Sequence, residues 1–364
     1  MTDDEFRSKL LSWYDANKRS MPWRDCGNPY YIWLSEIMLQ QTRVDQVTPY
    51  FNRFIERFPT VFDLAKASQQ DVLSVWEGLG YYSRARYLHN AAKAVVENHN
   101  GNVPDIWDKI TKLKGIGPYT ASAVLSIAFQ KPYAVVDGNV IRVLSRYFAI
   151  EDDVRRSTVK NNIQEHADEL LSRERPGDFN QAVMELGATI CTPSNPDCEA
   201  CPLAAGCTAR KKVKTDQIPY KSPAKKVPHH NIGVGILVND DNEVLIALRP
   251  NNAMLGGLWE FPGGKQKDGE SIKETVIREL REELAIKARI IEPFMKLKHA
   301  YSHFKITLHT YICELVEGNP KPKTSQQIKW VPVTALDQFP FPKANRRLTD
   351  KLMSDNFHQK ELNL

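Results

Sequence analysis

The sequence lacks any hydrophobic run long enough to cross a membrane, and its first residues, MTDDEFRSKLL, carry no apolar core of a secretion signal. We therefore expect a cytoplasmic protein with no membrane partner. The alternation of apolar and polar residues that is typical of strands is also missing before about residue 230. The first part of the chain is accordingly predicted to be all-α.

Cysteine is scarce as well, and its distribution does not resemble a disulfide framework. Four of the six cysteines lie in one short stretch with the spacing C-x6-C-x2-C-x5-C: Cys191, Cys198, Cys201 and Cys207. Four thiolates this close in sequence can surround a zinc ion or an iron–sulfur cluster, and the spacing alone does not choose between them. Cys26 and Cys313 match no motif and are predicted to be small buried hydrophobic residues.

The chain does have length and a modest positive charge. Its 364 residues suffice for about two domains, each with its own core. The formal net charge of +5 is compatible with a polyanionic partner but does not require one.

One stretch combines a glycine turn with a carboxylate at a helix start. Gly115 and Gly117 separate two predicted helical segments, 106–113 and 118–129. Two glycines this close allow a tight turn whose amides, beside a helix N-terminus, can bind a phosphate. Asp137 precedes the next helical run, where free amides would keep its carboxylate ionised. An ordinary helical hairpin with an aspartate cap explains the same residues.

Glu36 lies in a predicted helix over residues 31–42, beside apolar neighbours such as Trp33. A desolvated carboxyl has a raised pKa and can act as a general acid near neutral pH, whereas a glutamate at the polar edge of the helix has no such role. A protonated Glu36 and an ionised Asp137 would form the pair that cleavage at an acetal-like carbon needs, and an N-glycosidic bond in DNA is such a bond. The sequence alone does not show that the two carboxyls converge.

Helical character continues from residue 44 to residue 100, with predicted breaks at Pro49, at Pro59 and at Gly78-Leu79-Gly80. The third break is followed by tyrosines and arginines, in the order YYSRAR. Aromatic and basic side chains at a glycine turn suit insertion into a base stack, and buried tyrosines with solvated arginines are the alternative.

Several segments resemble a known family. LKGIGPYTA, VVDGNV and the four-cysteine loop resemble the endonuclease III superfamily of DNA glycosylases. Within it, SEIMLQQT and GPYT are similar to the adenine DNA glycosylases, which remove adenine mispaired with 8-oxoguanine. The resemblance implies a [4Fe-4S] cluster on the four cysteines. It also implies a monofunctional enzyme, because members that nick DNA carry a lysine where this chain has Tyr119.

The same resemblance implies roles for individual residues. Glu36 would protonate the adenine leaving group at N7, and Asp137 would stabilise the cationic sugar or bond it transiently, with Tyr119 and Asn139 adjusting that site. The partner would be double-stranded DNA with an adenine:8-oxoguanine or adenine:guanine mispair, bound by a nucleoid-associated monomer in a bacterial cell. The other matched positions are Trp23, Arg24 and Gln181 in the adenine pocket, Gln41, Thr42, Leu79 and Tyr81 against the opposite strand or the lesion, and Gly115 and Gly117 on a phosphate.

A change of pattern predicts a second domain. We expect an all-α domain over residues 1–210, a basic, proline-bearing linker over 211–230, and an α+β domain over 231–364 that begins with a β-hairpin. In the related glycosylases this last part is a Nudix-like domain that contacts 8-oxoguanine through a Phe-Ser-His turn. The matching residues here are Tyr301, Ser302 and His303.

The C-terminal part also carries an almost complete Nudix box over residues 264–286, with Ala285 as a single mismatch in place of glycine. Glu279, Glu282 and Glu283 stand on one helical face, where three carboxylates can hold Mg²⁺. Either these acids are idle on an inherited helix, or they belong to a working hydrolase of oxidised nucleotides.

The resulting prediction is a multidomain chain: an all-α helix-hairpin-helix glycosylase domain with an iron–sulfur loop, followed by an α+β Nudix-like domain. It would act as an adenine DNA glycosylase. The alternatives are an endonuclease III-like pyrimidine glycosylase, against which Tyr119 argues, a Nudix-type hydrolase of oxidised nucleotides, and a non-enzymatic mismatch binder in which substituting Glu36 changes nothing.

Overall fold

The computed structural model describes residues 1–223, 226–301 and 303–354. As far as it is described, the chain divides into two compact units, Met1–Lys66 with Asn90–Ala224 and Ala67–His89 with Lys225–Leu364. The segment Ala67–His89, which the predicted boundaries place in the first domain, therefore groups with the C-terminal part. Ser302 lies outside the described residues.

Helices alone make up the regular structure before residue 229 in the part of the chain that is described. They are α1 (Asp3–Asn17), α2 (Pro29–Leu39), α3 (Val44–Arg57), α4 (Val61–Lys66), α5 (Gln69–Trp76), α6 (Ser83–His99), α7 (Trp107–Ile110), α8 (Pro118–Phe129), α9 (Gly138–Phe148), α10 (Ser157–Leu170), α11 (Pro176–Thr189) and α12 (Thr208–Lys211). The all-α prediction for this part is confirmed.

Several helix starts follow directly from the sequence. Thr2 and Glu5 form a reciprocal capping box at α1, and Ser68 and Asp71 form another at α5. Such boxes satisfy amide donors that the first turn of a helix leaves without partners. Asp137 caps α9 in a related way, by accepting hydrogen bonds from two backbone amides.

Three local predictions need correction. Pro49 does not break a helix but lies inside α3, whose buried face includes Val47 and Phe51. A proline in a helix removes one backbone hydrogen bond, and burial of that apolar face outweighs the loss. The predicted helices over 31–42 and 106–113 are shorter, ending at Leu39 and Ile110.

The core of the helical unit forms where α11 packs against α1, α8 and α9. Phe6 and Leu10 of α1 and Leu186 of α11 are buried in one cluster, together with Val140 and Leu144 of α9. This packing fixes α9, and hence its first residues, against the rest of the unit.

The second unit is an α+β domain around a mixed sheet, as predicted. Its elements are β1 (His229–Val238), β2 (Glu243–Leu248), β3 (Trp259–Glu260), β4 (Gly263–Lys265), α13 (Ile272–Leu284), β5 (Lys287–Ala300), β6 (Lys305–Glu317), β7 (Gln327–Pro332), a 3₁₀ helix (Val333–Gln338) and α14 (Lys343–Ser354). The strands run in the order β3-β2-β1-β6-β5, with β4 beside β1 and β7 beside β2. The predicted β1–β2 hairpin is confirmed, with Val238 opposite Val244.

Both faces of this sheet are covered. Ile236 and Ile246 belong to a cluster that includes Leu348 of α14, whereas Leu237 and Leu245 belong to a cluster with Leu280 of α13. Because side chains alternate along a strand, successive residues of β1 and β2 supply the two cores.

The two isolated cysteines differ. Cys313 is buried, as predicted, but Cys26 is exposed, and its thiol donates a hydrogen bond to the Trp23 carbonyl at 3.2 Å. Within the described ranges, no helix combines the length and the apolar character needed to cross a membrane.

Candidate active site

One pocket of the helical unit collects the predicted chemistry. Its cavity of about 560 Å³ lies among α2, α8, α9, α11 and the segment before α2. This volume is typical of a small-molecule site. The lining includes the predicted residues Trp23, Arg24, Glu36, Thr42, Tyr119, Asp137, Asn139 and Gln181.

Glu36 lies on α2 and is buried, with 6% of its surface exposed. The position at a polar helix edge is therefore excluded. Burial raises the pKa of its carboxyl to about 7, with the Tyr119 hydrogen bond opposing this shift and the Asp137 charge adding to it. The Tyr119 hydroxyl donates to Glu36 Oε2 at 3.1 Å. This side chain can hold a proton near neutral pH and deliver it.

Asp137 is held by the first turn of α9. Its Oδ1 accepts from the amides of Asn139 at 2.8 Å and Val140 at 2.7 Å, and its Oδ2 accepts from the Asn139 side-chain amide at 2.8 Å. The amides are where the sequence predicted them. Burial nevertheless raises the pKa of Asp137 above its usual value, against the lowering effect of these hydrogen bonds. The carboxylate is fixed in orientation and only partly solvated.

Two residues that position this loop were missed by the sequence analysis. Asn180 of α11 accepts from the Val135 amide at 3.0 Å and donates to the Tyr133 carbonyl at 2.8 Å, which anchors the segment leading to Asp137. Arg142 donates to Asn139 Oδ1 at 2.8 Å. A polar residue next to Gln181 was the available sequence signal for Asn180, and an arginine three residues after Asn139 was the signal for Arg142.

A second network orients Arg24 at the pocket. Arg24 Nη2 donates to Glu185 Oε2 at 3.1 Å, and Nε donates to Gln181 Oε1 at 3.3 Å. Glu185 is buried and also accepts from Arg19 Nε at 2.6 Å. Trp23 is buried and meets the ring of Phe51 edge-on, with centroids 5.1 Å apart. Glu185 was not predicted, although a glutamate one turn after Gln181 on α11 was the signal for it.

The glycine turn that is predicted to bind a phosphate has the expected backbone conformation. Gly115 adopts a φ of +85°, which favours glycine, and Gly117 is the N-cap of α8. Among the described residues, no atom beyond the neighbouring backbone lies within 4 Å of the position where a Cβ would stand at Gly117, so the approach to this turn is open. The amides at the N-terminus of α8 are therefore accessible from this side.

The other predicted DNA contacts lie at turns. Gln41 is exposed with a φ of +57°, and Thr42 donates to the Gln40 carbonyl at 3.4 Å. In the second unit, Tyr81 has a φ of +50° and is 38% exposed, whereas Leu79 is buried.

The four cysteines meet at one site of the helical unit. Cys191, Cys198, Cys201 and Cys207 line a single cavity together with Arg146. The buried Arg146 donates to the Cys191 sulfur at 3.3 Å. In the described chain, no group of three or more His, Cys, Asp or Glu side chains is arranged to hold a single metal ion. A larger cluster, with one thiolate on each iron, fits this donor set.

The predicted lesion-reading turn is described in part. The ring of Tyr301 stacks on Phe304, with centroids 4.8 Å apart, and the Tyr301 amide donates to the Phe304 carbonyl at 2.9 Å. Burial raises the pKa of the Tyr301 phenol to about 12. His303 is exposed.

The Nudix-box acids are engaged in ion pairs and hydrogen bonds. Arg278 donates to Glu279 at 2.7 Å, to Glu282 at 3.0 Å and to Glu270 at 2.6 Å. Glu283 accepts from the Gly263 amide at 3.0 Å. The three predicted ligands are therefore not arranged around an ion in the described residues, and the Mg²⁺ prediction gains no support from the geometry.

The fold and the pocket define a class of protein: a helix-hairpin-helix DNA repair enzyme with an iron–sulfur loop. Residues 34–169 match the HhH-GPD superfamily of base excision DNA repair proteins, and residues 191–207 match the iron–sulfur binding domain of endonuclease III. Residues 233–351 match the NUDIX domain. The cofactor is a [4Fe-4S] cluster, as predicted.

Relatives narrow the assignment. The adenine DNA glycosylase of Rattus norvegicus is 35% identical, with 90% of this chain and 73% of the relative covered. That of Homo sapiens is 34% identical, with 90% and 70% covered. A solved thermostable thymine-DNA glycosylase is 30% identical with a TM-score of 0.52, and the match covers 58% of this chain and 97% of that one. The chain belongs to the adenine DNA glycosylase family, which confirms the predicted family, fold class and enzyme class.

Proposed function

We propose that this enzyme hydrolyses the N-glycosidic bond of adenine paired with 8-oxoguanine or guanine in double-stranded DNA. The observation that carries the proposal is the placement of a buried Glu36 and a helix-capping Asp137 on one pocket, in two different electrostatic settings. Two carboxyls of unequal environment supply an acid and an anion to the same bond.

Glu36 is the general acid in this account. With a pKa of about 7, a large fraction of its carboxyl is protonated at neutral pH. Proton transfer to N7 makes the adenine a better leaving group. The Tyr119 hydroxyl, 3.1 Å from Oε2, leaves the other carboxyl oxygen to carry the transferred proton.

Asp137 stabilises the cationic sugar that forms as the bond breaks, until a water molecule adds to the sugar carbon and completes the hydrolysis. Its three donors fix the carboxylate before the reaction, so no reorganisation is needed when the positive charge develops. Asn139 supplies two of the three and is itself held by Arg142. The [4Fe-4S] cluster on its four cysteines supplies no step in this account.

The remaining residues that line the cavity would form the adenine pocket. Trp23 offers an aromatic wall, and Gln181 has an amide of the kind that pairs with the edge of adenine. Arg24 keeps its orientation through Glu185, which is paired with two arginines.

Outside the pocket, the enzyme must extract the base. Gly115 and Gly117 would hold a phosphate. The exposed Tyr81 would enter the base stack, and Gln41, Thr42 and Leu79 would support contacts to the opposite strand or near the lesion. Extrusion of a mispaired base costs a few kcal/mol, less than for a matched base. The enzyme would act as a monomer.

Recognition of the opposite base is assigned to the C-terminal domain. Tyr301 and His303, with Ser302 between them, would contact 8-oxoguanine. The stacked ring of Tyr301 keeps an aromatic face where related enzymes have phenylalanine, and its hydroxyl adds a polar group.

A single-turnover base-release assay tests the proposal. Duplexes carry adenine opposite 8-oxoguanine, guanine or thymine, and products are analysed with and without hot alkali. We expect release to be fastest opposite 8-oxoguanine and strand breaks to appear only after alkali. Absence of release from every duplex would contradict the proposal, and breaks without alkali would contradict a monofunctional enzyme.

A further inference from the structure

We propose that Arg346 is a positioning residue for the turn Gly78–Tyr82, which we call the wedge turn: through Glu77, it holds this turn in the conformation that presents Tyr81 to DNA. The inference deepens the proposed function and rests on it. It concerns only the second unit, which contains both α14 and the segment Ala67–His89.

The backbone of the wedge turn adopts conformations that are uncommon for residues other than glycine. Between α5 and α6, Gly78 has a φ of +93°, Gly80 of +78° and Tyr81 of +50°. A tyrosine in the left-handed region is uncommon and persists only where its surroundings hold it. Local contacts stabilise this conformation in part, since Trp76 Nε1 and Arg84 Nη2 both donate to the Gly80 carbonyl at 3.1 Å.

Residues of α14 stabilise the turn further. Arg346 Nε donates to Glu77 Oε1 at 2.6 Å, and its Nη2 donates to Glu77 Oε2 at 2.9 Å, a two-point ion pair that is about four-fifths buried on both sides. Glu77 is the residue at which α5 ends and the turn begins. A paired, partly desolvated carboxylate at this point fixes the direction in which the chain leaves the helix.

Arg346 is itself immobilised, so it can act as a fixed support. Its other donors bind the Phe339 carbonyl at 2.6 Å, the Leu336 carbonyl at 3.2 Å and the Thr349 hydroxyl at 3.3 Å. Together with the two bonds to Glu77, they use all five guanidinium N–H groups. A lysine has three donors without this planar fork and cannot replace the set.

Other residues of the second unit also form hydrogen bonds with the segment Ala67–His89. Tyr82 donates to the Phe341 carbonyl at 3.3 Å and accepts from the Gly78 amide at 3.2 Å. Upstream, Gln70 donates to the Gly257 carbonyl at 2.9 Å and accepts from Trp259 Nε1 at 3.0 Å. The C-terminal domain thus packs against both ends of the wedge turn, in addition to its assigned role in reading the opposite base.

The test distinguishes a role of Arg346 in base extrusion from a general loss of activity caused by damage to the fold. Arg346→Met and Glu77→Gln are compared with Arg347→Met, which removes the same charge from the exposed neighbour on α14. Single-turnover adenine release is measured on an adenine:8-oxoguanine duplex and on a duplex in which the adenine faces a nucleotide gap. A base without a partner is already easier to extrude and needs the wedge less.

We expect Arg346→Met and Glu77→Gln to slow release from the paired duplex about tenfold and to leave the gapped duplex nearly unaffected. Arg347→Met should match the wild type on both. The double variant should be no slower than either single variant, because Arg346 acts through Glu77. Arg346→Lys should resemble Arg346→Met, since it keeps the charge without the fork.

Equal losses of rate on the two duplexes would indicate a purely structural role of Arg346 and would overturn the proposal. An unchanged release rate in the single variants, or additive losses in the double variant, would also overturn it. If the wild type releases adenine from neither duplex, the proposed function fails together with this inference. If the wild type is active and only the variants behave otherwise than expected, the inference alone fails.

Discussion

Glu36 and Glu282 are both glutamates on helices of this chain, in regions that the sequence marks as candidate sites. Glu36 is buried beside a tyrosine hydroxyl, and burial raises its pKa to about 7. For Glu282 the effect of burial, which raises the pKa, is outweighed by the Arg278 hydrogen bond and the Lys267 charge, so its pKa is lowered. The first carboxyl is prepared to give up a proton, whereas the second is held as an anion in ion pairs.

The contrast extends to the neighbours of each residue. Glu36 shares an open cavity with Asp137, so the two carboxyls can act on one ligand. The Nudix-box acids surround Arg278 instead, which lowers the pKa of Glu270 to about 2. Glu283 differs from Glu270 and Glu282, since burial and the nearby Glu260 charge raise its pKa to about 7. Acidic residues in a motif are thus not equivalent, and their environment decides their chemistry.

The largest effect expected from this comparison is that of Glu36→Gln. The amide keeps the shape and the contact with Tyr119 but carries no acidic proton, so adenine release should slow by roughly 10²–10⁴-fold. Duplex binding should be retained. Single-turnover release and a binding titration on the same duplex measure the two effects, with Glu282→Gln as control. An unchanged release rate for Glu36→Gln would favour a different acid.

Asp137→Asn should have the next largest effect. Asparagine caps helices as well as aspartate does, so α9 should still form. The negative charge beside the sugar is lost, and release should slow by about 10²–10³-fold. Circular dichroism and single-turnover release together check this expectation. A folded Asp137→Asn protein with the wild-type rate would contradict the role of the carboxylate.

A smaller effect concerns stability. Because the pKa of Glu36 rises from 4.5 to about 7 on folding, the folded state keeps a proton that the unfolded state releases. Stability from this group is present below pH 4.5 and is lost as pH rises to about 7. Glu36→Gln should therefore unfold at a higher temperature than the wild type above pH 7, and the difference should shrink towards pH 4.5. Thermal melts at several pH values, with Glu282→Gln as control, test this.

The smallest effect is expected in the Nudix box. Substituting Glu282 and Glu283 together by glutamine should leave adenine release unchanged, because these acids lie outside the pocket. Wild-type protein with Mg²⁺ should release no more pyrophosphate from 8-oxo-dGTP than this double variant does. Mg²⁺-dependent pyrophosphate release that the double variant lacks would show that the box is a second active site.

Much of this architecture could be predicted from local sequence signals. The Asp137 cap, the paired glycines at 115 and 117 and the β1–β2 hairpin each have a local physical cause, so the sequence predicts them. Glu36 could only be ranked as buried or at a polar edge, because its neighbours along α2 do not reveal what packs on the helix.

The rest depends on contacts that are distant in sequence. Asn180 and Glu185 position the pocket through partners on other elements, and Arg142, which contacts Asn139 within α9, is itself fixed by the Gly187 carbonyl of α11. The prediction for Pro49 failed because propensity was weighed without the tertiary burial of α3. Grouping of Ala67–His89 with the C-terminal unit rests on contacts such as that of Arg346 with Glu77, which also lie beyond local reading.

The most direct test of the account is the pH dependence of single-turnover adenine release from an adenine:8-oxoguanine duplex, between about pH 5 and pH 9. If a protonated Glu36 is the acid, the rate should fall as pH rises through about 7, and this fall should be absent from the residual activity of Glu36→Gln. A fall that persists in Glu36→Gln would contradict the assignment, as would a wild-type rate that does not change across this range.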